Sequence, residues 1–184
     1  IWSDKVIIKD LTVSEEDKIA LAYELAVKMP QHQEEILARQ LENTKNPDRK
    51  ERMLFVMPAL SDNREIRDAF FESLKLEKNR EHEPWVLEAL SYLHHPLRAE
   101  SSISYLRPSL DLLKEVQLTG DIFFPQRWLH TTFDGHTSQQ ALEIVDAFLK
   151  EHPEYPPYLK NKILQATDLI NRSVALQKLK PEQI

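Results

Sequence analysis

Met53-Leu54-Phe55-Val56-Met57-Pro58-Ala59-Leu60, followed by Ser61-Asp62-Asn63-Arg64-Glu65-Ile66-Arg67-Asp68-Ala69-Phe70-Phe71-Glu72-Ser73-Leu74, is the stretch that decides how this chain folds. Met53, Leu54, Met57 and Leu60 recur at three- and four-residue steps, and Ile66, Ala69, Phe70 and Leu74 do so again, the spacing of two amphipathic helices. Ser61-Asp62 marks the turn between them. Asp62 is expected to cap the second helix, since a short carboxylate accepts from the free N–H groups of a first turn. Pro58 falls late in the first helix and Arg67 one turn into the second. Met53 to Met57 is apolar on every side, which predicts an inner helix.

Working outward, the same reading repeats. Ser14-Glu15-Glu16-Asp17 supplies a hydroxyl cap and first-turn acids for a helix on Ile19, Ala22, Leu25, Ala26 and Met29 that stops at Pro30. A second helix runs from about Gln33 to Asn43, and Asn46-Pro47-Asp48 opens the third. Beyond a charged connector, Lys75 to Glu83, Pro84 suits the first turn of a fifth helix, ended by His94-His95-Pro96. A sixth covers about Arg98 to Leu118, with a kink or break expected from Pro108. A seventh holds Phe124, Trp128, Leu129 and Phe133, and an eighth runs from a Ser138 cap to about Lys150. After the stiff connector His152 to Pro157, Leu159, Ile163, Ala166, Ile170 and Val174 put one stripe on a last helix from about Tyr158 to Leu179. Only Val6-Ile7-Ile8 reads as strand or extended linker.

The expectation is an all-α fold of about nine helices. Two helices per unit give a period of about forty residues, within the range of HEAT and armadillo repeats rather than shorter tetratricopeptide units. An irregular, right-handed α-α superhelix follows, with residues 1–13 as linker and 14–184 as one helical domain. The length of 184 residues suits that.

Composition narrows the function classes. Twenty-four Lys and Arg against 30 Asp and Glu leave a net charge of −6, a poor match to a nucleic-acid duplex, and no helix carries a basic stripe; Lys160 to Lys162 is too short. Zero cysteines exclude disulfides, thiolate metal sites and a cysteine nucleophile. Two glycines, Gly120 and Gly135, exclude glycine-rich phosphate loops. Apolar runs such as Met53 to Met57 are far shorter than the roughly 20 residues a membrane helix needs. The chain opens Ile1-Trp2-Ser3-Asp4, without an initiator Met, and is expected to be a piece of a longer protein. The compartment stays open.

Candidate chemistry is sparse. A zinc hydrolase helix needs His at i and i+4 with Glu beside the first, but His82-Glu83-Pro84-Trp85-Val86 has Val86 at the second ligand position and a helix start inside the motif. His94 and His95 suit carbonyls at a helix end, and His130 and His136 suit capping around Phe133-Asp134-Gly135. Ser61, Ser101, Ser102 and Ser138 read as caps or surface residues, with no nucleophile elbow. Glu15-Glu16 and Glu34-Glu35 read as solvated helix faces, and Trp85, Trp128, Phe70, Phe71, Phe123 and Phe124 as core at helical spacing rather than a ligand box. No catalytic or metal residue is assigned. Tyr105, Arg107, Arg127 and Trp128 are the set with recognition chemistry: cations beside aromatics on a concave wall hold a peptide backbone or carboxylate, against the plainer reading of interhelical ion pairing.

One stretch carries a family likeness. Gly120-Asp121-Ile122-Phe123-Phe124-Pro125-Gln126-Arg127-Trp128-Leu129, then Ala147-Phe148-Leu149 and His152-Pro153, then Tyr155-Pro156-Pro157-Tyr158-Leu159-Lys160-Asn161-Lys162-Ile163-Leu164-Gln165-Ala166-Thr167-Asp168, resembles the C-terminal end of bacterial aminopeptidase N-type zinc metallopeptidases. Asp10-Leu11-Thr12-Val13-Ser14-Glu15-Glu16-Asp17 resembles the start of that helical domain. The likeness is specific over about Gly120 to Asn171 and weak between. It implies a non-catalytic C-terminal domain that packs on a thermolysin-like catalytic domain and closes the chamber over the zinc, admitting peptides by their free N-terminus. The parent would remove N-terminal residues by attack of a zinc-bound water with a Glu as general base. The family's His-Glu-x-x-His helix and Gly-x-Met-Glu-Asn strand are absent here, so this chain alone is expected to hold no cofactor and cleave nothing. Zinc belongs to the missing catalytic domain, and the implied partners are that domain and the peptide substrate, with no nucleic acid and no membrane insertion. An apolar patch of a few hundred Å² is expected where the catalytic domain would lie. The rival is a free-standing α-solenoid scaffold that binds other proteins.

Overall fold

The computed structural model describes residues 2–3 and 8–179. Among them the regular structure is entirely helical, and no helix is long and apolar enough to cross a membrane. Of Val6-Ile7-Ile8, Val6 and Ile7 lie outside the described residues and Ile8 has no regular structure. The chain divides into two compact units, residues 1–72 and 73–184.

In the first unit, α1 (Glu15–Lys28) begins with a full capping box: the Asp17 N–H donates to Ser14 Oγ at 3.1 Å, and the Ser14 N–H donates back to Asp17 Oδ2 at 2.8 Å. α2 (Gln33–Asn43) packs on α1, and α3 (Pro47–Leu60) packs on both. Asn46 caps α3, its Oδ1 accepting from Arg49 N–H at 3.1 Å. α4 (Arg64–Ser73) is capped by Asn63, not Asp62: the Glu65 N–H donates to Asn63 Oδ1 at 2.8 Å. One register step separates the two residues, and both have the cap chemistry. Instead, the Ser61 and Asp62 carbonyls accept from the buried Arg67 guanidinium at 2.8 and 2.9 Å. Gln33 holds the same turn from α2, donating to Leu60 O and accepting the Asp62 N–H at 2.8 Å. Met53, Val56, Ala59 and Leu60 are buried, yet Leu54 is 57% exposed, so α3 has one open side and is not wrapped all round.

The second unit contains α5 (Glu83–Leu93), the single turn α6 (Ala99–Ser102), α7 (Leu106–Asp111), α8 (Leu113–Thr119), α9 (Phe124–Phe133), α10 (Gln139–Glu151), α11 (Pro157–Ala166) and α12 (Asp168–Gln177). Setting α6 aside, the described residues form eleven helices where the periodicity predicts about nine. The predicted sixth and ninth helices are each broken. Pro108 has no N–H for the Ser104 carbonyl and its ring crowds that turn, and the chain tightens to 3₁₀ over Ile103–Tyr105. A second interruption follows at Leu112. The last helix breaks at buried Thr167, whose hydroxyl donates to the Ile163 carbonyl at 2.9 Å, a back-bond that bends helices. Its apolar stripe nevertheless runs through the break, with Leu159, Ile163, Ala166, Ile170 and Val174 all buried.

Packing in this unit skips alternate helices. α5 packs on α9 and α9 on α11, while α7 packs on α10 and α10 on α12. Two rows result, joined where α7 and α8 meet α9 and where α11 meets α12. The charged connector is not wholly solvated: Arg80, in a 3₁₀ turn over Glu77–Arg80, is buried and donates to Leu74 O, to Glu115 and to Thr119 Oγ1.

Candidate functional site

The four residues with recognition chemistry do not share one environment. Trp128 is fully buried, its indole N–H spent on the Ser109 carbonyl at 3.2 Å and its ring edge-on to Phe124. Tyr105 is buried and meets His94 edge-on. Arg107 is partly exposed and committed: Nε donates to Asp111 Oδ1 at 2.9 Å, the guanidinium pairs with Glu151 on α10 at 2.6 Å, and it lies over the Phe148 ring. Those bonds raise the Arg107 pKa and lower that of Glu151. Arg127 stands exposed on α9, where its charge weakly opposes a rise in the pKa of nearby Glu83. Only the two arginines offer charge to a ligand arriving from solvent.

Histidine gives the most unusual geometry. His94, which ends α5, and His136, in the turn before α10, lie 42 residues apart in sequence and meet as rings, with His94 Nδ1 at 3.1 Å from His136 Nε2. Both side chains are buried to about 1% exposure. One nitrogen of the contact carries the shared proton, and His94 Nε2 and His136 Nδ1 have no hydrogen-bond partner among the described residues. Burial lowers the His94 pKa well below its usual value, with His136 adding to the effect, and burial alone takes His136 to about 4. The pair is therefore neutral at physiological pH. Gly135 lies against this contact so closely that a Cβ there would overlap the His94 carbonyl oxygen. Capping roles describe neither His94 nor His136; the legible signal was one of only two glycines standing next to a histidine.

The other histidines behave locally. His95 Nδ1 accepts the Leu97 N–H at 3.2 Å, His130 bonds Gln126 and Asp134 on its own helix end, and His82 stacks on Trp85. Ser138 accepts from Ala141 N–H, while Ser101 and Ser102 donate to carbonyls one turn back. Glu83 accepts the Asp121 N–H at 2.7 Å and is pushed up in pKa, chiefly by burial and further by the Asp121 charge. Glu15 and Glu16 pair across helices with Arg49 and Arg52. Among the described residues no group of three or more His, Asp or Glu is placed to hold a metal ion.

The loop between α8 and α9 presents apolar surface. Ile122 and Phe123 are 74% and 67% exposed on it, so Phe123 is not the core residue its aromatic ring suggests, and Leu118 in the last turn of α8 is 84% exposed. The loop is held in place, because Asp121 Oδ1 accepts the Phe123 and Phe124 N–H groups at 2.6 and 2.7 Å. Gly120 is packed under it, where a Cβ would overlap the Phe124 ring. The chain matches no family model, no curated protein and no solved structure.

Proposed function

We propose that this chain is the C-terminal, non-catalytic helical domain of a zinc-dependent aminopeptidase of the thermolysin-like class, an irregular right-handed α-α superhelix that caps and lines the peptide chamber of its parent. The observation that carries the reading is the α8–α9 loop. Ile122 and Phe123 stand in solvent on a hydrogen-bonded turn within the Gly120 to Leu129 stretch that resembles the family, Leu118 is exposed in the last turn of α8, and exposed apolar side chains of that kind mark surfaces that other protein covers. The alternate-helix packing of α5, α9 and α11 against α7, α10 and α12 supports the superhelical part, since stacked helix pairs bury a continuous core in two rows. Arg127 is the side chain offered to the substrate, as a fixed cation for a peptide carboxylate. Zinc and the catalytic groups lie in the remainder of the parent.

The test has two arms. The gene is expected to encode His-Glu-x-x-His within the few hundred residues upstream; its absence would sink the reading and leave the free-standing scaffold. Mixing the chain with the separately produced catalytic part should raise turnover of an aminoacyl chromogenic substrate. Phe123→Asp in the chain should remove that gain while leaving its helical circular dichroism intact.

A further inference from the structure

We propose that the His94–His136 contact is an acid-sensitive latch: when the buried pair takes up a proton, the segment from His94 to Tyr105 parts from the turn at residues 134–138 while the remaining helices stay folded. The two rings share one hydrogen bond at 3.1 Å, leave a nitrogen each without a partner among the described residues, and are sealed from water. Among the described residues a cation created there has no carboxylate that acts on it. The titratable and charged groups nearest the two imidazoles along the chain are Tyr92 on α5, His95 and Arg98 after it, Glu100 on α6, Tyr105 in the 3₁₀ turn, and His130 and Asp134 at the end of α9, with Glu83, Glu88 and Arg127 farther along α5 and α9. Lys178, beyond α12, follows Gln177, which donates to the Thr137 carbonyl. Asp134 is exposed and bonded to His130, and the electrostatic influences on the pair are burial and, for His94, the His136 ring.

The part that opens is set by the local backbone. Residues 96–105 consist of a 3₁₀ turn (Pro96–Arg98), the single turn α6 and another 3₁₀ turn (Ile103–Tyr105), so they hold few consecutive α-helical hydrogen bonds. Segments of that kind open at low free-energy cost. His94 clamps one end through His136 and Gly135, and Tyr105, edge-on to His94, clamps the other. Loss of the imidazole contact therefore frees the His94 end, and with it the ring edge that His94 shares with Tyr105.

Hydrogen exchange read by mass spectrometry on the full chain decides it, at about pH 7.5 and about pH 5, with labelling times scaled for the intrinsic pH dependence of exchange. Protection over residues 94–105 and 134–138 is expected to fall about tenfold or more at the lower pH, with α3 and α10 unchanged. In H94Q/H136Q, where each amide keeps a donor and an acceptor but cannot titrate, that pH dependence should vanish. Equal protection at both pH values, simultaneous loss over the whole chain, or the same pH dependence in H94Q/H136Q would each overturn the latch. Should the double variant not fold, Cε1-proton titration of the native chain gives the answer. The Cε1 protons of His94 and His136 should shift only as the segment opens, and a shift of either while the segment stays protected would overturn it.

Discussion

Two places in this molecule join helices that are distant in sequence, and they do it with opposite electrostatics. Between α1 and α3, Glu15 and Glu16 meet Arg49 and Arg52 in partly exposed ion pairs, and the Lys45 N–H and Arg49 hold the Glu15 carboxyl below its usual range. Between the end of α5 and the turn before α10, two uncharged imidazoles meet in the dark. An exposed pair costs little to form and contributes little, because water and salt screen it. A buried neutral pair contributes only as long as it stays neutral, and a charge there is expensive. Helix-joining chemistry thus sets the pH at which each joint fails.

The largest expected effect follows from that contrast. Unfolded, His94 and His136 take protons near pH 6.5; folded, His136 does so only at about 4, and burial holds His94 well below its ordinary value. Between about 6.5 and about 4 the unfolded chain binds more protons, so stability is full above 6.5 and is lost as pH falls through that window. His136 alone accounts for on the order of 3 kcal/mol. Urea melts at stepped pH check this, and a flat stability from pH 7 to 5 would break the comparison. The Glu15 joint behaves otherwise, its contribution being present above the ordinary carboxylate range and lost only below it.

Gly135→Ala comes next, with an expected loss of about 2 to 3 kcal/mol in urea unfolding, because the new methyl meets a backbone carbonyl that cannot swing aside. Arg67→Met should cost about 2 kcal/mol by the same measurement, since the Ser61 and Asp62 carbonyls lose a charged donor in a half-buried turn. Smallest is Arg49→Met, which should move the urea midpoint only at low salt and leave it unchanged at high salt. A larger effect there than in Gly135→Ala would reverse the ranking of the two joints.

Local rules made most helix starts readable. Ser14, Asn46 and Ser138 cap where hydroxyl or amide chemistry at a helix start placed them, and α2 spans the expected residues. The breaks were harder, because an apolar stripe reports burial and not backbone hydrogen bonding. Leu159 to Val174 keep their stripe across Thr167, so periodicity has no means of seeing the interruption. Pro108 is visible, but its disturbance falls upstream, at the turn it cannot bond. Trp128 carries two readings in the sequence, core by its helical spacing and recognition by its neighbour Arg127; its place in the α9 row leaves it inside, as the spacing alone says. The histidine pair was hidden by a separation of 42 residues, which only tertiary packing closes.

The break at Thr167 has a consequence that the one near Pro108 lacks. A proline interrupts a helix through its ring, whereas Thr167 does so with one hydroxyl proton shared with the Ile163 carbonyl. Thr167→Ala removes that proton, and the bend is then held by the packing of α11 on α9 and of α12 on α10. The local part of that bend is thus one substitution from removal, while the two rows keep the rest.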